Sequence, residues 1–407
     1  MDLFQELMCR GLIKQTTSDE VEKLLNGSPM NFYCGFDPTA ESLHIGSLLP
    51  ILMMRRLQNA GHKAIVVLGN ATASIGDPSG KSVERNMLSQ EIIDQNLQSV
   101  KNQIANILDS KTLFLENLDW FKNVSFIDFL RNVGKHFSVN NMLSKDSVKS
   151  RLENQEQGIS FTEFSYMLLQ AEDFRHLFFK YNCILELGGS DQWANIISGI
   201  DLIRRTTGKE SFGLTFPLIT KSDGTKFGKT EKGNIWLSPE RTSPFEFFQF
   251  FINVSDEDII KLLDFLSLKS LRDINDLKLK SQANPSERLA QKALAEELTL
   301  LIHGQAGLHL ALKETAAKFS GQVDSANAPV DLTVGSEIIG TKLIDLLVQL
   351  GLSSSKSMAR KDIQGNGIKL NGQKVSNVEQ TIEASNFNDS KMVLSKGKTN
   401  HKIVALK

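Results

Sequence analysis

The sequence predicts an α/β chain: a doubly wound parallel sheet, then a small helical region and a compact α+β module at the C-terminal end. Three observations predict it. From Met30 to Gly61 an apolar run with aromatic content is broken by Asp37-Pro38-Thr39 and followed by apolar residues at helical spacing. Lys63 to Leu68 (KAIVVL) is a second continuous apolar run, followed by a Gly/Ser/Pro-rich loop and another helical pattern. A strand–helix–strand–helix order with uninterrupted apolar strands is the mark of a parallel sheet covered on both faces. From residue 341 a helix–turn–helix pattern passes into a hairpin around Asn371-Gly372.

The first elements are two short helices, Leu3 to Ile13 and Asp19 to Asn26, ahead of the strand Met30 to Phe36. Pro38 lacks a backbone N–H and disfavours helix before it, so the strand ends there. Leu48, Leu49, Leu52, Met53 and Leu57 then mark a helix that Gly61 stops. Strand, tight loop and helix form half of a nucleotide-binding unit, and the helix start offers unpaired N–H groups that suit phosphate. His44 and Gly46 stand at that start, where His44 either caps a turn or donates to a phosphoryl oxygen. Residues 69–85 form the next loop, and Lys81 and Arg85 on it either reach an anion on the same rim or are solvated charge.

A helix over Gln90 to Leu108 follows, and then a less regular stretch, Lys111 to Ser160, which reads as an insertion between the halves of the sheet. Within it Phe126 to Val133 is amphipathic, with a face for the core or for a second subunit. The helix from about Thr162 to Tyr181 places Tyr166, Gln170 and Asp173 on one face, at i, i+4 and i+7. The chain has 3 Tyr against 24 Phe, so a Tyr marks a place where a hydroxyl needs a partner, and Tyr33 and Tyr166 are two of them. Cys183 to Leu187 is a further strand. Gly188 and Gly189 are expected to make a tight turn, and Ser190 or Asp191 to cap the next helix. Asp191 stands where a carboxylate commonly grips a ribose. Leu214 to Thr220 reads as the last strand. The loop KSDGTKFGKTEKGN after it carries Lys221, Lys226, Lys229 and Lys232 among three glycines, which fits a mobile cationic lid.

Composition bounds the function. At 407 residues, 41% apolar and 23% charged, the chain is an ordinary soluble one of two or three domains. Cys9, Cys34 and Cys183 are widely separated, without metal-ligand spacing or a disulfide framework. The start MDLFQELMCRG has no signal-peptide pattern and no run is long enough to span a membrane, so a reduced, cytoplasmic location is expected. The near-zero net charge hides an asymmetry: residues 341–407 hold 11 Lys and Arg against 5 Asp and Glu, a basic module on an acidic body.

HIGS (44–47) after a strand, paired with KFGKT (226–230), resembles the HIGH and KMSKS signatures of class I aminoacyl-tRNA synthetases, whose catalytic domain is Rossmann-like. CGFDPTAESLHIGSL, IGDPSGKSVER, FTEFSYMLLQAEDF, GGSDQW and DGTKFGKT together resemble the bacterial tyrosyl-tRNA synthetase family over nearly the whole chain. Two departures stand out: Ser47 replaces a second His, and Phe227-Gly228 replace Met-Ser, a familiar tyrosyl variant. The resemblance implies activation of L-tyrosine with ATP and transfer to tRNA(Tyr), with Mg²⁺ on the phosphates, no tightly bound cofactor, no protein-held metal and a homodimer. It implies that Tyr33 and Asp173 bind the substrate phenol, and that Asp77, Tyr166 and Gln170 bind its ammonium. Gln192 places its carboxylate and Asp191 holds the ribose. Thr39, His44, Gly46, Lys226, Lys229 and Thr230 surround the ATP phosphates, with Lys81 and Arg85 near the departing pyrophosphate.

The domains expected are 1–235 (catalytic, with the insertion at about 111–160), 236–320 (helical, on the anticodon side), 321–340 (linker) and 341–407. The last resembles the small RNA-binding fold of a ribosomal small-subunit protein, with Lys356, Arg360 and Lys361 near one helix face. Two alternatives are a catalytically inactive synthetase-like RNA-binding protein and tryptophan activation. The phenol-suited pair Tyr33 and Asp173 argues against the second.

Overall fold

The computed structural model describes the chain except residues 80–86, 154–157, 223, 226, 231–232, 321–329, 389 and 398–399, and except the side chains of residues 146, 147, 150, 153, 229, 230 and 317–320. The chain divides into two compact units, Met1–Gly304 and Gln305–Lys407. The division falls where Gly304 (φ 68°, ψ −175°) interrupts the helix Leu289–Ser320.

In the first unit a six-stranded sheet is built from β1 (Gln15–Thr16), β2 (Asn31–Phe36), β3 (Lys63–Leu68), β4 (Leu113–Glu116), β5 (Cys183–Gly189) and β6 (Phe212–Phe216). Its order is β1-β6-β5-β2-β3-β4, parallel throughout except for the antiparallel edge strand β1. The predicted doubly wound α/β fold is therefore present. After β2 the chain builds outward to β3 and β4, and later to β5 and β6 on the other side. The crevice at this reversal, between β2 and β5, is where ligands bind on such sheets. Behind it the helices Phe161–Tyr181 and Trp193–Thr207 bury Phe174, Leu177 and Ile203 against Tyr33, Ile65 and Val67. The helix Leu48–Asn59 has eight buried residues and packs on β2, β3 and β5.

Three details differ from the sequence reading. The segment read as an irregular insertion opens with β4, a genuine sheet strand beside β3. Gly188 and Gly189 extend β5 rather than turn, and neither Ser190 nor Asp191 caps the helix that follows. β6 ends at Phe216, and Ile219 pairs instead with the basic loop through Phe227 N–H (3.2 Å).

The helical region follows its cap residues. Ser243 and Glu246 form a capping box on Pro244–Ile252, and Ser255 and Ser270 cap Asp256–Leu266 and Leu271–Ala283. Two buried arginines hold this region to the sheet domain. Arg10 and Arg56 both donate to Ser267 O (3.2 and 2.8 Å), and Arg56 also reaches Phe265 O (3.0 Å), at the C-terminal end of the Asp256–Leu266 helix. Burial, with Arg10 beside it, lowers the Arg56 pKa to about 9.

The second unit contains a five-stranded sheet of β9 (Leu332–Val334), β10 (Ile368–Leu370), β11 (Gln373–Lys374), β12 (Lys391–Lys396) and β13 (Asn400–Leu406), in the order β11-β10-β12-β13-β9. The predicted hairpin is β10–β11, and its turn residues Asn371 (φ 46°) and Gly372 (φ 82°) both lie in the left-handed region. The helices Leu343–Gln349 and Lys356–Gln364 pack on this sheet around Leu347, Ile363 and Met392. β9 falls in the stretch expected to be a linker; it is three residues long and its partner β13 lies at the far end of the chain. No described helix is long and apolar enough to cross a membrane.

Candidate active site

The crevice between β2 and β5 opens into a cleft of about 380 Å³. Tyr33, Thr39, His44, Gly46, Asp77, Tyr166, Gln170, Asp173, Asp191 and Gln192 all line it. Ten of the residues singled out from sequence thus converge on one cavity. Lys81, Arg85 and Lys226 lie outside the described residues, as do the side chains of Lys229 and Thr230, whose backbone forms β7 (Lys229–Thr230) against β8 (Gly233–Asn234).

One end of the cleft is a buried hydrogen-bond chain. Tyr166 Oη donates to Asp37 Oδ2 (2.9 Å), and Thr72 Oγ1 donates to Asp37 Oδ1 (2.7 Å). Asn117 Nδ2 donates to both Thr72 Oγ1 (3.0 Å) and Asp173 Oδ2 (3.1 Å). Trp120 Nε1 donates to Asp173 Oδ1 (2.8 Å). Each Asp173 oxygen therefore has one donor and keeps lone-pair capacity for another. Burial holds the Asp173 carboxyl well above the usual carboxylate range, against the pull of Asn117 and Trp120. Burial, then the charges of Glu186 and Asp173, raises the Tyr33 phenol, which stays a hydrogen-bond donor. Gln170 Nε2 donates to Glu186 Oε1 (2.9 Å). Also in the lining, Gln192 Nε2 donates to Asp77 Oδ2 (2.8 Å), which orients both groups.

The other end is where His44 stands. Its Nδ1 accepts the Gly46 N–H (3.0 Å), so the neutral imidazole carries its proton on Nε2. The capping role of His44 is real and leaves Nε2 as a donor. The backbone here pairs with the far side of the basic loop: Ile45 N–H donates to Ile235 O (2.9 Å) and Leu237 N–H to Leu43 O (2.8 Å). This short ladder brings HIGS and KFGKT, distant in sequence, side by side. Gly228 makes it possible. Its φ is +87°, and a Cβ there would lie 2.4 Å from Ile45 Cγ2. Phe227 is buried beside it with its ring against Phe250. Arg241 stacks over Trp236 at 3.8 Å, at the edge of the same ladder.

Five contributors were not singled out from sequence. In the sequence Asp37 shows only as a strand breaker, and no local pattern marks Thr72, Asn117, Trp120 or Glu186. Asn117 and Trp120 follow β4 and were hidden by the insertion reading. Among the described residues no group of three or more His, Cys, Asp or Glu could hold a metal ion.

A Rossmann-like sheet with a His-capped helix start laced to a Lys-rich loop defines a class I aminoacyl-tRNA synthetase. Comparisons with known proteins agree. Residues 25–320 match the family of class I tRNA synthetases (W and Y), and residues 330–404 match the tyrosine–tRNA ligase C-terminal domain. The tyrosine–tRNA ligase of Listeria welshimeri is 45% identical over 423 residues, covering 100% of both chains, and tyrosine–tRNA ligase 1 of Bacillus subtilis is 45% identical with the same coverage. A C-terminally truncated mitochondrial tyrosyl-tRNA synthetase of Aspergillus nidulans superposes with a TM-score of 0.71 at 28% identity, covering 78% of this chain and 94% of that one. The chain belongs to the class I aminoacyl-tRNA synthetases, and within them it is an enzyme of the tyrosine–tRNA ligase family.

Proposed function

We propose that the cleft holds L-tyrosine and ATP end to end, makes tyrosyl-adenylate, and passes tyrosine to the acceptor end of tRNA(Tyr). The supporting observation is that a single cavity is lined both by the buried Tyr33 and Asp173 and by His44 and Asp191. The substrate phenol donates to Asp173 and accepts from Tyr33. Asp77, Tyr166 and Gln170 surround its ammonium, and Gln192 places its carboxylate. Asp191 holds the ribose. Thr39, His44, Gly46, Lys226, Lys229 and Thr230 contact the ATP phosphates, and Lys81 and Arg85 receive pyrophosphate.

In the first step a tyrosine carboxylate oxygen attacks the α-phosphorus in line. The new O–P bond replaces the bond to the β-phosphate oxygen, and pyrophosphate leaves. The carboxylate is already a nucleophile, so positioning and charge stabilisation carry the step without a protein base. ATP enters as its Mg²⁺ complex, so the metal comes with the substrate. In the second step a ribose hydroxyl of the terminal tRNA adenosine attacks the acyl carbon and AMP leaves.

The domain division expected from sequence stands as a proposal, with 236–320 on the anticodon side of tRNA and the basic C-terminal module on its backbone. A cytoplasmic homodimer is proposed as well; exposed Phe126, Ile127 and Leu130 on one short helix support it, and sedimentation tests it. Pyrophosphate exchange with each amino acid in turn tests the activity. Tyrosine-dependent exchange is expected. Exchange with tryptophan alone rejects the substrate, and no exchange at all favours the inactive RNA-binding alternative.

A further inference from the structure

Three buried polar atoms near the phenol end of the cleft have no hydrogen-bond partner: Tyr33 Oη, Gln170 Oε1 and Glu186 Oε2. They belong to neighbouring residues. Tyr33 and Glu186 are register partners on β2 and β5. Gln170 reaches across from the Phe161–Tyr181 helix, its Nε2 on Glu186 Oε1 at 2.9 Å. Glu186 is 2% exposed and sits behind Tyr33 and Gln170, which face the cavity. Two glycines also lie beside it and offer no side-chain donor. Gly213 is its register partner on β6, and a Cβ at Gly199 would lie 3.5 Å from Oε2. Among the described residues no ion pair reaches it.

We propose that Glu186 is a positioning residue that fixes the rotation of the Gln170 amide, and so selects a cationic amino group in the tyrosine subsite. This rests on the reading that Gln170 meets the substrate ammonium. An ionised carboxylate only accepts hydrogen bonds, so the amide must turn its NH₂ toward it. The amide oxygen is then left unpartnered on the other side, which is the group an ammonium requires. A neutral carboxyl can donate as well as accept. It would be satisfied equally by the flipped amide, which turns N–H groups toward the cation.

The charge of Glu186 is set by its surroundings. Burial pushes its pKa up to about 7, against the pull of the Gln170 amide that donates to it and of the nearby Tyr33 hydroxyl. The titratable groups that act on it or feel its charge are Tyr33 and Cys34 on β2, Cys183 on β5 and Asp173 on the Phe161–Tyr181 helix. Recognition should therefore weaken as the pH falls through neutrality.

The experiment is tyrosine-dependent pyrophosphate exchange by the full chain between pH 6 and 8, with 3-(4-hydroxyphenyl)propionate, which lacks the ammonium, as a competitive inhibitor. For the unaltered chain, KM for tyrosine should be about tenfold higher at pH 6 than at pH 8, with kcat and KM for ATP changing less than about twofold. Glu186→Gln conserves shape but not charge, and its KM should be flat, near the acid value of the unaltered chain. The inhibition constant of the analogue should be flat in both. Gln170→Ala should also lose the KM slope, with Glu186 intact, and it serves if Glu186→Gln does not fold. Equal KM slopes in the unaltered chain and Glu186→Gln, a slope retained in Gln170→Ala, or a slope shared by the analogue overturns the proposal alone. Absence of tyrosine-dependent exchange at every pH rejects the underlying reading and this proposal with it.

Discussion

Asp173 concentrates the residue-scale physics of the site. It is 4% exposed, and its carboxyl is raised by burial while Trp120 and Asn117 both donate to it. Asp173→Ala leaves two buried donors unpaired, each costing about 1–3 kcal/mol, so the variant loses stability as well as function. KM for tyrosine should rise by at least about tenfold, the cost of leaving the buried substrate phenol without its acceptor, while KM for ATP stays near its original value. Steady-state exchange with each substrate varied in turn checks this, and an unchanged kcat/KM for tyrosine removes Asp173 from the phenol. Glu186 makes a stability prediction of the opposite sign. Its folded pKa, about 7, lies above the ordinary 4.5, so the folded state holds the proton more tightly than the unfolded one. Stability is then lost as the pH rises from about 4.5 to about 7 and stays reduced above that. Glu186→Gln removes this penalty and should raise the unfolding free energy at pH 8, measured by urea denaturation, by at most roughly 3 kcal/mol, with little change at pH 5. A larger gain at pH 5 than at pH 8 contradicts the assignment.

At the scale of elements, what could be read from sequence depended on how local the deciding interaction was. β2 and β3 are continuous apolar runs, and β5 is one interrupted only by Glu186, so their hydrophobicity marks them. The caps at Ser243, Ser255 and Ser270 act within three residues, so the signal they carry is local as well. β1 and β4, two and four residues long, exist because distant strands offer them an edge, and no local pattern carries that. The same limit hid Asn117 and Trp120, which act on Asp173 across 56 and 53 residues of chain. The lysine loop shows the mixture. Its charge and glycines suit a lid, but its pairing with residues 43–45 has no local signal in the sequence. Gly224, Gly228 and Gly233 all adopt positive φ there, so these glycines serve particular turns as well as suppleness. Gly228→Ala tests the ladder. It places a Cβ against Ile45 at a strained φ, a cost of order 1–3 kcal/mol. Displacement of Ile45 carries His44 with it, so exchange should slow by about tenfold while KM for tyrosine moves less than about twofold. A normal rate shows that the two signature segments work without this contact.

At the scale of the whole molecule, chemistry and RNA capture are expected to separate along the chain. The site lies entirely within Met1–Gly304, whereas the excess of basic residues lies in 341–407. Where the chain is cut matters, because β9 completes the C-terminal sheet by pairing with β13. Removal of residues 341–407 strands Leu332–Val334 without its partner and exposes an unpaired strand, an aggregation hazard. Removal of 321–407 takes the strand away with its sheet. The longer truncation should therefore stay monodisperse by light scattering at concentrations where the shorter one aggregates. With residues 321–407 absent, tyrosine-dependent exchange should persist within about twofold, since no group proposed for the cleft is lost, while tRNA charging falls by at least about tenfold. Charging by the full chain should also weaken steeply between 50 and 200 mM salt, as expected of phosphate contacts, with exchange far less affected. Equal loss of exchange and charging in the long truncation would mean that the C-terminal unit supports the fold of the site itself, and the modular account of tRNA capture would have to be given up.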